Sequence, residues 1–275
     1  MRFSVHHETR YRYSMPVRLA SQLLRLNPRA DGARILTCSV TVDPAPAQRH
    51  EQTDRFGNRI TQVSFEGLSD HLRIESRFDV DTRTAAPLRD PGLPRLPWSS
   101  SPHDVLADYR PDGEQDIVVQ AFAAALASES LWAALPFLDR LSQTLFTRLE
   151  RGIRVEGAAQ APAHTLAIGR GACRDVTVLF MAACRSLGIA ARFVSGYHAK
   201  ADTPDGQRHM HAWPEVFLPG LGWRGFDPTH GIAVTDGHVA LCAVPDQAAT
   251  MPVEGGFYGN GATATLDYRV QIATR

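Results

Sequence analysis

The sequence predicts an α+β chain: an N-terminal antiparallel β domain of sandwich or barrel type, then a mostly helical stretch, then mixed structure. Three observations carry this. Residues 1 to about 84 alternate apolar and polar side chains with the period of half-buried strands. Residues 85 to 104 hold Pro87, Pro91, Pro94, Pro97 and Pro102, which no helix or central strand accommodates. Beyond them the apolar spacing changes to three and four.

Taken in order, RFSVHHETRYRYS, ILTCSVTVDP, RITQVSFEG and HLRIESRFDVDT read as strands, with SQLLRLNP breaking the pattern. DRFGN, at Asp54 to Asn58, suits a tight turn through Gly57 and Asn58. The Pro-rich stretch reads as a linker or as an extended arm laid over a surface. EQDIVVQAFAAAL predicts a short helix. Pro136 sits where a first-turn proline is tolerated and opens a second helix. Phe137, Leu141, Leu145 and Leu149 give that helix a core-facing stripe, and Gly152 is its expected stop. The expected domains are therefore 1–84, a linker or arm at 85–104, and 105–275.

Composition narrows the function classes. The 275 residues carry 29 Lys+Arg and 29 Asp+Glu, so the formal net charge is zero. Nucleic acid and acidic membrane partners need a basic excess, and neither is expected. No apolar run reaches the length of a membrane span, and MRFSVHHETRYRYS lacks the apolar core of a signal peptide. Four cysteines without a CxxC pair make no disulfide framework. A reduced, cytoplasmic setting is the expectation.

The chemistry gathers after residue 165. Cys173 through Leu187 fit a helix with Gly188 at C′, and Val176, Leu179, Phe180, Ala183 and Leu187 define its buried face. Ile189 to Tyr197 follows as a strand. Cys173 thus falls in a first helical turn, where unpaired N–H groups and the helix dipole stabilise a thiolate. Asp175 suits the same turn. Gly171, just before, lets another chain approach closely. An ordinary buried cysteine is the competing reading of Cys173. Cys184, three turns on, gains nothing from the dipole and reads as packing, as do Cys38 and Cys242.

A second segment, HMHAWPEVFLPGLGWRGFDPTHG, reads as strand, turn, strand, from His211 to Leu218 and from Trp223 to Asp227. A thiol nucleophile needs a base, and the base needs an acceptor on its other nitrogen. A four-residue loop at 219–222 would put Asp227 on the face opposite to His211. An odd loop, such as 219–221, or one bulge brings them to a shared face. Joint action of the two residues therefore predicts the odd loop or the bulge. His209, His211, Asp227 and His230 could also be drawn as a metal set, but no recognisable ligand spacing supports it, and no metal or cofactor is expected. His209 and His230 read as structural histidines. Trp213, Trp223 and Tyr197 surround the site in sequence, as core aromatics or as substrate walls. Glu215 reads as a hairpin charge. Arg174 reads as solvated or paired, with acidic-substrate steering as the alternative.

GACRDVTVLFMAACRSLGIAARFVSGY followed by HAWPEVFLPGLGWRGFDPT resembles the bacterial transglutaminase-like cysteine peptidase family, within the papain-like thiol hydrolases. The resemblance covers about residues 165 to 231. The N-terminal β region, with RYRYS and DRFGN, resembles the domain that accompanies this family. It implies a papain- or transglutaminase-like core of helices packed on an antiparallel sheet. It implies Cys173 as nucleophile, His211 as base and Asp227 as orienter, acting on a peptide or protein substrate, with Tyr197, Trp213 and Gly171 as candidate substrate contacts. His209, Met210 and His230 depart from the family pattern without touching the triad; GIRVEGAAQAPAHTL departs as well, which leaves the pocket wall and the second oxyanion donor unassigned. The expected reaction is amide hydrolysis through a thioester. Transfer to an amine is the alternative outcome, and a non-catalytic binding or scaffold module on the same fold is the alternative class.

Overall fold

A computed structural model describes residues 1–99, 105–110, 116–154, 157–200 and 207–275. Pro102 and the rest of 100–104 lie outside the described residues.

The N-terminal region is built from β1 (Arg2–Leu19), β2 (Gln22–Leu24), β3 (Ala33–Asp43), β4 (Gln48–Thr53), β5 (Arg59–Ser64) and β6 (Ser69–Thr82). Alternation is cleanest in β6, where Leu72, Ile74, Phe78 and Val80 are buried at every second or fourth position. β2 arises inside SQLLRLNP, the segment without strand periodicity, because Leu24 and Leu26 are both needed in the core. β4 went unread in the sequence. Its residues, QRHEQT, are all exposed, so it carries no apolar pattern. The Asp54–Asn58 turn joins β4 to β5, with Gly57 at φ 81° and Asp54 accepting the Phe56 and Asn58 amides.

The arm after β6 lies along the helical core. Leu96 N–H donates to Trp132 O at 2.9 Å and Trp98 N–H to Leu187 O at 2.9 Å, while Leu88, Leu93 and Trp98 pack on the helical core. Two helices follow: α1 (Ile117–Glu129), capped by Asp116, and α2 (Ala134–Arg148). Phe137, Leu141, Leu145 and Leu149 are buried as their spacing predicts. α2 ends at Arg148, before Gly152, because Glu150 and Arg151 leave as β7 (Glu150–Arg151). Next come α3 (Pro162–Ile168), β8 (Arg170–Gly171), which pairs in parallel with β7, and α4 (Cys173–Ser186). α4 closes as a Schellman motif: Gly188 N–H bonds Arg185 O, Ile189 N–H bonds Cys184 O, and Gly188 takes φ 79°.

The remaining strands are β9 (Ala191–His198), β10 (His211–Leu218), β11 (Gly222–Asp227), β12 (Ile232–Ala233), β13 (His238–Val244), β14 (Val253–Glu254), β15 (Phe257–Tyr258) and β16 (Ala264–Thr274). A second five-stranded sheet runs β12-β11-β10-β9-β13, antiparallel throughout. α4 packs on one face of it through Leu179, Phe180 and Ala183 against Ala191, Phe193, Ala212, Val216 and Phe226. The fold is thus α+β, with helices on an antiparallel sheet. Tyr197, Val239 and Leu241, from β9 and β13, join the N-terminal core instead. The chain's end is built into that N-terminal part: β16 pairs with β1 over Phe3↔Thr274 to Tyr13↔Ala264, β15 pairs with β1, and β14 with β2. Among the described residues, no helix is long and apolar enough to cross a membrane.

Candidate active site

Cys173 is the first residue of α4, half-buried, with Ala172 at the N-cap. Its own N–H lies in the turn that has no intrahelical partners. Asp175, two residues on, is fully buried. Its Oδ2 accepts the Ala172 N–H at 2.8 Å. Its Oδ1 accepts the Gln160 N–H at 2.8 Å and the Arg154 guanidinium at 2.5 Å. One carboxylate therefore fixes the helix start and ties Arg154 and Gln160 to it. Arg174 turns away to donate to the Arg154 carbonyl at 2.5 Å, so it is paired.

His211 opens β10. The β10–β11 pairing runs Leu218↔Gly222, Phe217↔Trp223, Val216↔Arg224 and Glu215↔Gly225. The loop is the three residues 219–221, with Gly220 and Gly222 both at positive φ. This is the odd loop that shared action of His211 and Asp227 requires. Continued to the end of β11, the register sets Asp227 level with Trp213 and diagonal to His211. His211 Nε2–H donates to Asp227 Oδ2 at 2.8 Å. That leaves Nδ1 for the sulfur of Cys173, which faces the same ring.

The electrostatics follow from burial and pairing. Burial opposes a thiolate at Cys173, but hydrogen bonding and charge from His211, with the Ala212 N–H, outweigh it and bring the thiol below its ordinary pKa. Burial likewise opposes charge on His211. The Asp227 carboxylate and the Cys173 sulfur reverse this and raise the imidazole to about 10. Asp227 is fully buried, yet its imidazole partners, His211 foremost, hold it well below the carboxylate range. The other cysteines move the opposite way: burial raises Cys38, takes Cys242 to about 12, and raises Cys184 well above the usual thiol value.

Asp227 serves more than one imidazole. His230 Nδ1–H reaches Oδ2 at 2.7 Å and His238 Nε2–H at 3.1 Å, while Oδ1 accepts the Thr229 and His230 amides. His198 stacks beside them, 4.5 Å from both the His230 and the His238 ring centroids. Burial, followed by its histidine neighbours, lowers His198 to about 3. His198 and His238 escaped notice in the sequence because each merely ends or begins an apolar strand. The available signal was that each polar residue sits at the tip of an otherwise buried run.

The candidate substrate contacts need correction. Tyr197 is fully buried on the opposite face of the sheet from His211, and its hydroxyl hydrogen-bonds His7 Nδ1 at 2.7 Å inside the N-terminal core. Trp213 is 1% exposed. It packs with Val194 and Ala243, its ring 5.9 Å from His211, so it backs the imidazole from inside the core. Gly171 is small because its own chain crowds it: a Cβ there would lie 2.9 Å from Asp175 Cβ and 3.2 Å from Thr165 Cγ2. His209 stays outside the cluster, its Nδ1 2.6 Å from the Tyr268 hydroxyl. Trp223 is remote as well, under the Arg192 guanidinium at 4.3 Å.

This arrangement has known counterparts. Residues 3–81 match the bacterial transglutaminase-like N-terminal region, and residues 134–228 match the transglutaminase-like superfamily core. The chain belongs to the transglutaminase-like superfamily. Over 98% of its length it is 28% identical to an uncharacterized protein of Mycobacterium bovis, covering 92% of that relative, and 26% identical to one of Mycobacterium leprae, covering 98% of it. A solved structure described as a candidate cysteine protease from Cytophaga hutchinsonii shares the fold with a TM-score of 0.72 at 19% identity, over 99% of this chain and 90% of that one. Membership in the transglutaminase-like superfamily supports thiol-based chemistry at the level of the family, and Cys173 is the cysteine whose surroundings favour a thiolate.

Proposed function

We propose that Cys173, His211 and Asp227 form a catalytic triad that cleaves amide bonds of a peptide or protein substrate through a thioester. The observation that carries this reading is the position of His211, bonded to Asp227 at 2.8 Å through Nε2 while its other nitrogen faces the Cys173 sulfur. The thiolate attacks the amide carbonyl, and the developing oxyanion meets the Cys173 N–H at the start of α4. The His211 imidazolium gives its Nδ1 proton to the leaving amine, and the S–C thioester replaces the C–N bond. Asp227 holds the ring's tautomer throughout. Neutral His211 then takes a proton from water, whose oxygen displaces the sulfur and releases the acid. Hydrolysis is the favoured outcome because water is always at hand, and among the described residues nothing marks an amine acceptor site.

The test is mass spectrometry of a peptide library incubated with the wild-type chain and with Cys173→Ala, with and without a primary amine. Cleavage products that vanish in Cys173→Ala support the proposal. Amine adducts in place of acids would convert it to transamidation. Identical libraries for both chains would leave a binding module and overturn it.

A further inference from the structure

The proposed acyl transfer needs one imidazole on Asp227, yet three converge on it. His230, His238 and His211 all direct N–H groups at the same atom, Oδ2. His198 adds a fourth ring. It is the direct register partner of His238 across β9 and β13, with ring centroids 4.5 Å apart. Both rings are more than nine-tenths buried, and the Nδ1 atoms of both are buried without a hydrogen-bond partner. A buried polar atom without a partner is costly and calls for an explanation. A ring nitrogen of His198, one of His238 and a carboxylate oxygen of Asp227 all lie within 4.8 Å of one another.

We propose that His198, His238 and Asp227 form a binding site for a divalent transition cation of the zinc class, set directly behind the candidate nucleophile's base. Two imidazoles and a carboxylate are a zinc ligand set, and bonds near 2.0–2.1 Å span neighbouring ligand atoms by roughly 3.4 Å in a tetrahedron. Closing the present cluster onto an ion takes side-chain shifts of about 1 Å or less by that geometry. Calcium and magnesium prefer oxygen ligands and do not fit two imidazoles. His230 stands beside the cluster and either fills the fourth position or leaves it to water.

The site shares Oδ2 with His211, so an ion there takes the acceptor that orients the base. Cation binding therefore inhibits. The inhibition rests on the triad reading above, whereas the binding does not.

The experiment titrates the metal-free full chain with Zn2+ by calorimetry and with Co2+ by visible absorption, for wild type, Cys173→Ala, His198→Gln and His238→Gln. Circular dichroism confirms that each variant is folded. The expected result is one ion per chain, a tetrahedral cobalt spectrum without a thiolate charge-transfer band, and affinity retained in Cys173→Ala. Affinity falls about tenfold or more in whichever histidine variant remains folded. Wild type that binds no ion, binding abolished by Cys173→Ala, or affinity unchanged in the folded histidine variants would each overturn the site. In parallel, peptide hydrolysis by metal-free wild type should fall on adding Zn2+ and return with chelator. Metal-free wild type without hydrolysis would sink the triad reading and leave the binding result standing. Hydrolysis indifferent to a bound ion would overturn the inhibitory role.

Discussion

Leu218 pairs directly with Gly222, so three residues turn the β10–β11 hairpin and Asp227 returns on the diagonal of His211. Strand side chains alternate, so the parity of this loop decides whether acid and base share a face. Inserting one glycine between Leu221 and Gly222 should move Asp227 to the other face if the turn keeps its three-residue length, because β11 then slips by one against β10. Inserting two should preserve the arrangement. The check is the iodoacetamide rate of Cys173 near pH 6. The one-residue insertion should cost at least about tenfold, in line with what an orienting carboxylate contributes to a triad, and the two-residue insertion should stay near wild type. Equal rates for both insertions would mean that loop parity does not govern the site.

The pH profile follows from opposite shifts. The Cys173 thiol sits below its ordinary value and the His211 imidazole is raised to about 10. Thiolate exists above the first and imidazolium below the second, so the reactive ion pair fills the window between them. Alkylation of Cys173 should already be fast at pH values where Cys38, Cys184 and Cys242, all shifted upward, stay protonated and slow. Acylation should fall again as pH passes about 10. In Asp227→Asn the charge that raises His211 is gone, so the alkaline limb should move down toward the ordinary imidazole value of about 6.5. Peptide mapping of alkylation across pH measures both limbs. Uniform sluggishness of all four cysteines would remove the basis for a thiolate nucleophile.

Much of this was readable from residues and spacing. α4 runs from Cys173 to a Gly188 cap because apolar positions recur at three and four and Gly188 accepts a positive φ. The odd hairpin loop followed from the chemistry required of His211 and Asp227. What escaped was tertiary. No local rule states that β9 shows Tyr197 to one core and His198 to another cluster, since both faces of a fully buried strand look alike in sequence. Nor does a period-2 signal survive in β4, whose six residues are all exposed. The return of β16 to β1, more than 240 residues away in sequence, is a pairing that only the assembled fold determines.

Tyr197 offers a direct check on that correction. Its hydroxyl bonds His7 Nδ1 at 2.7 Å, on the face of the sheet opposite to His211, and His7 is held neutral with a pKa of about 4, chiefly by burial. Tyr197→Phe leaves a buried ring nitrogen without its partner, which costs about 1–3 kcal/mol. The expected outcome is a lower midpoint in urea with kcat/KM unchanged. A selective rise in KM would restore Tyr197 to the substrate path.

Asp175 should prove the more damaging position, although it touches no reacting atom. It is fully buried and accepts from Ala172 N–H, Gln160 N–H and Arg154 at once. Asp175→Ala strands two amides and one guanidinium. Arg154 is about one-third exposed and regains water, so the dominant loss is the pair of amide bonds and the anchored helix start. Removing a buried acceptor of this kind costs about 2–4 kcal/mol. Because the same carboxylate fixes the turn that carries Cys173, the alkylation rate at pH 6 should fall together with the unfolding free energy. Asp175→Asn keeps one acceptor oxygen and should recover part of both. Stability lost with the alkylation rate intact would separate the helix cap from the thiol and limit Asp175 to a structural role.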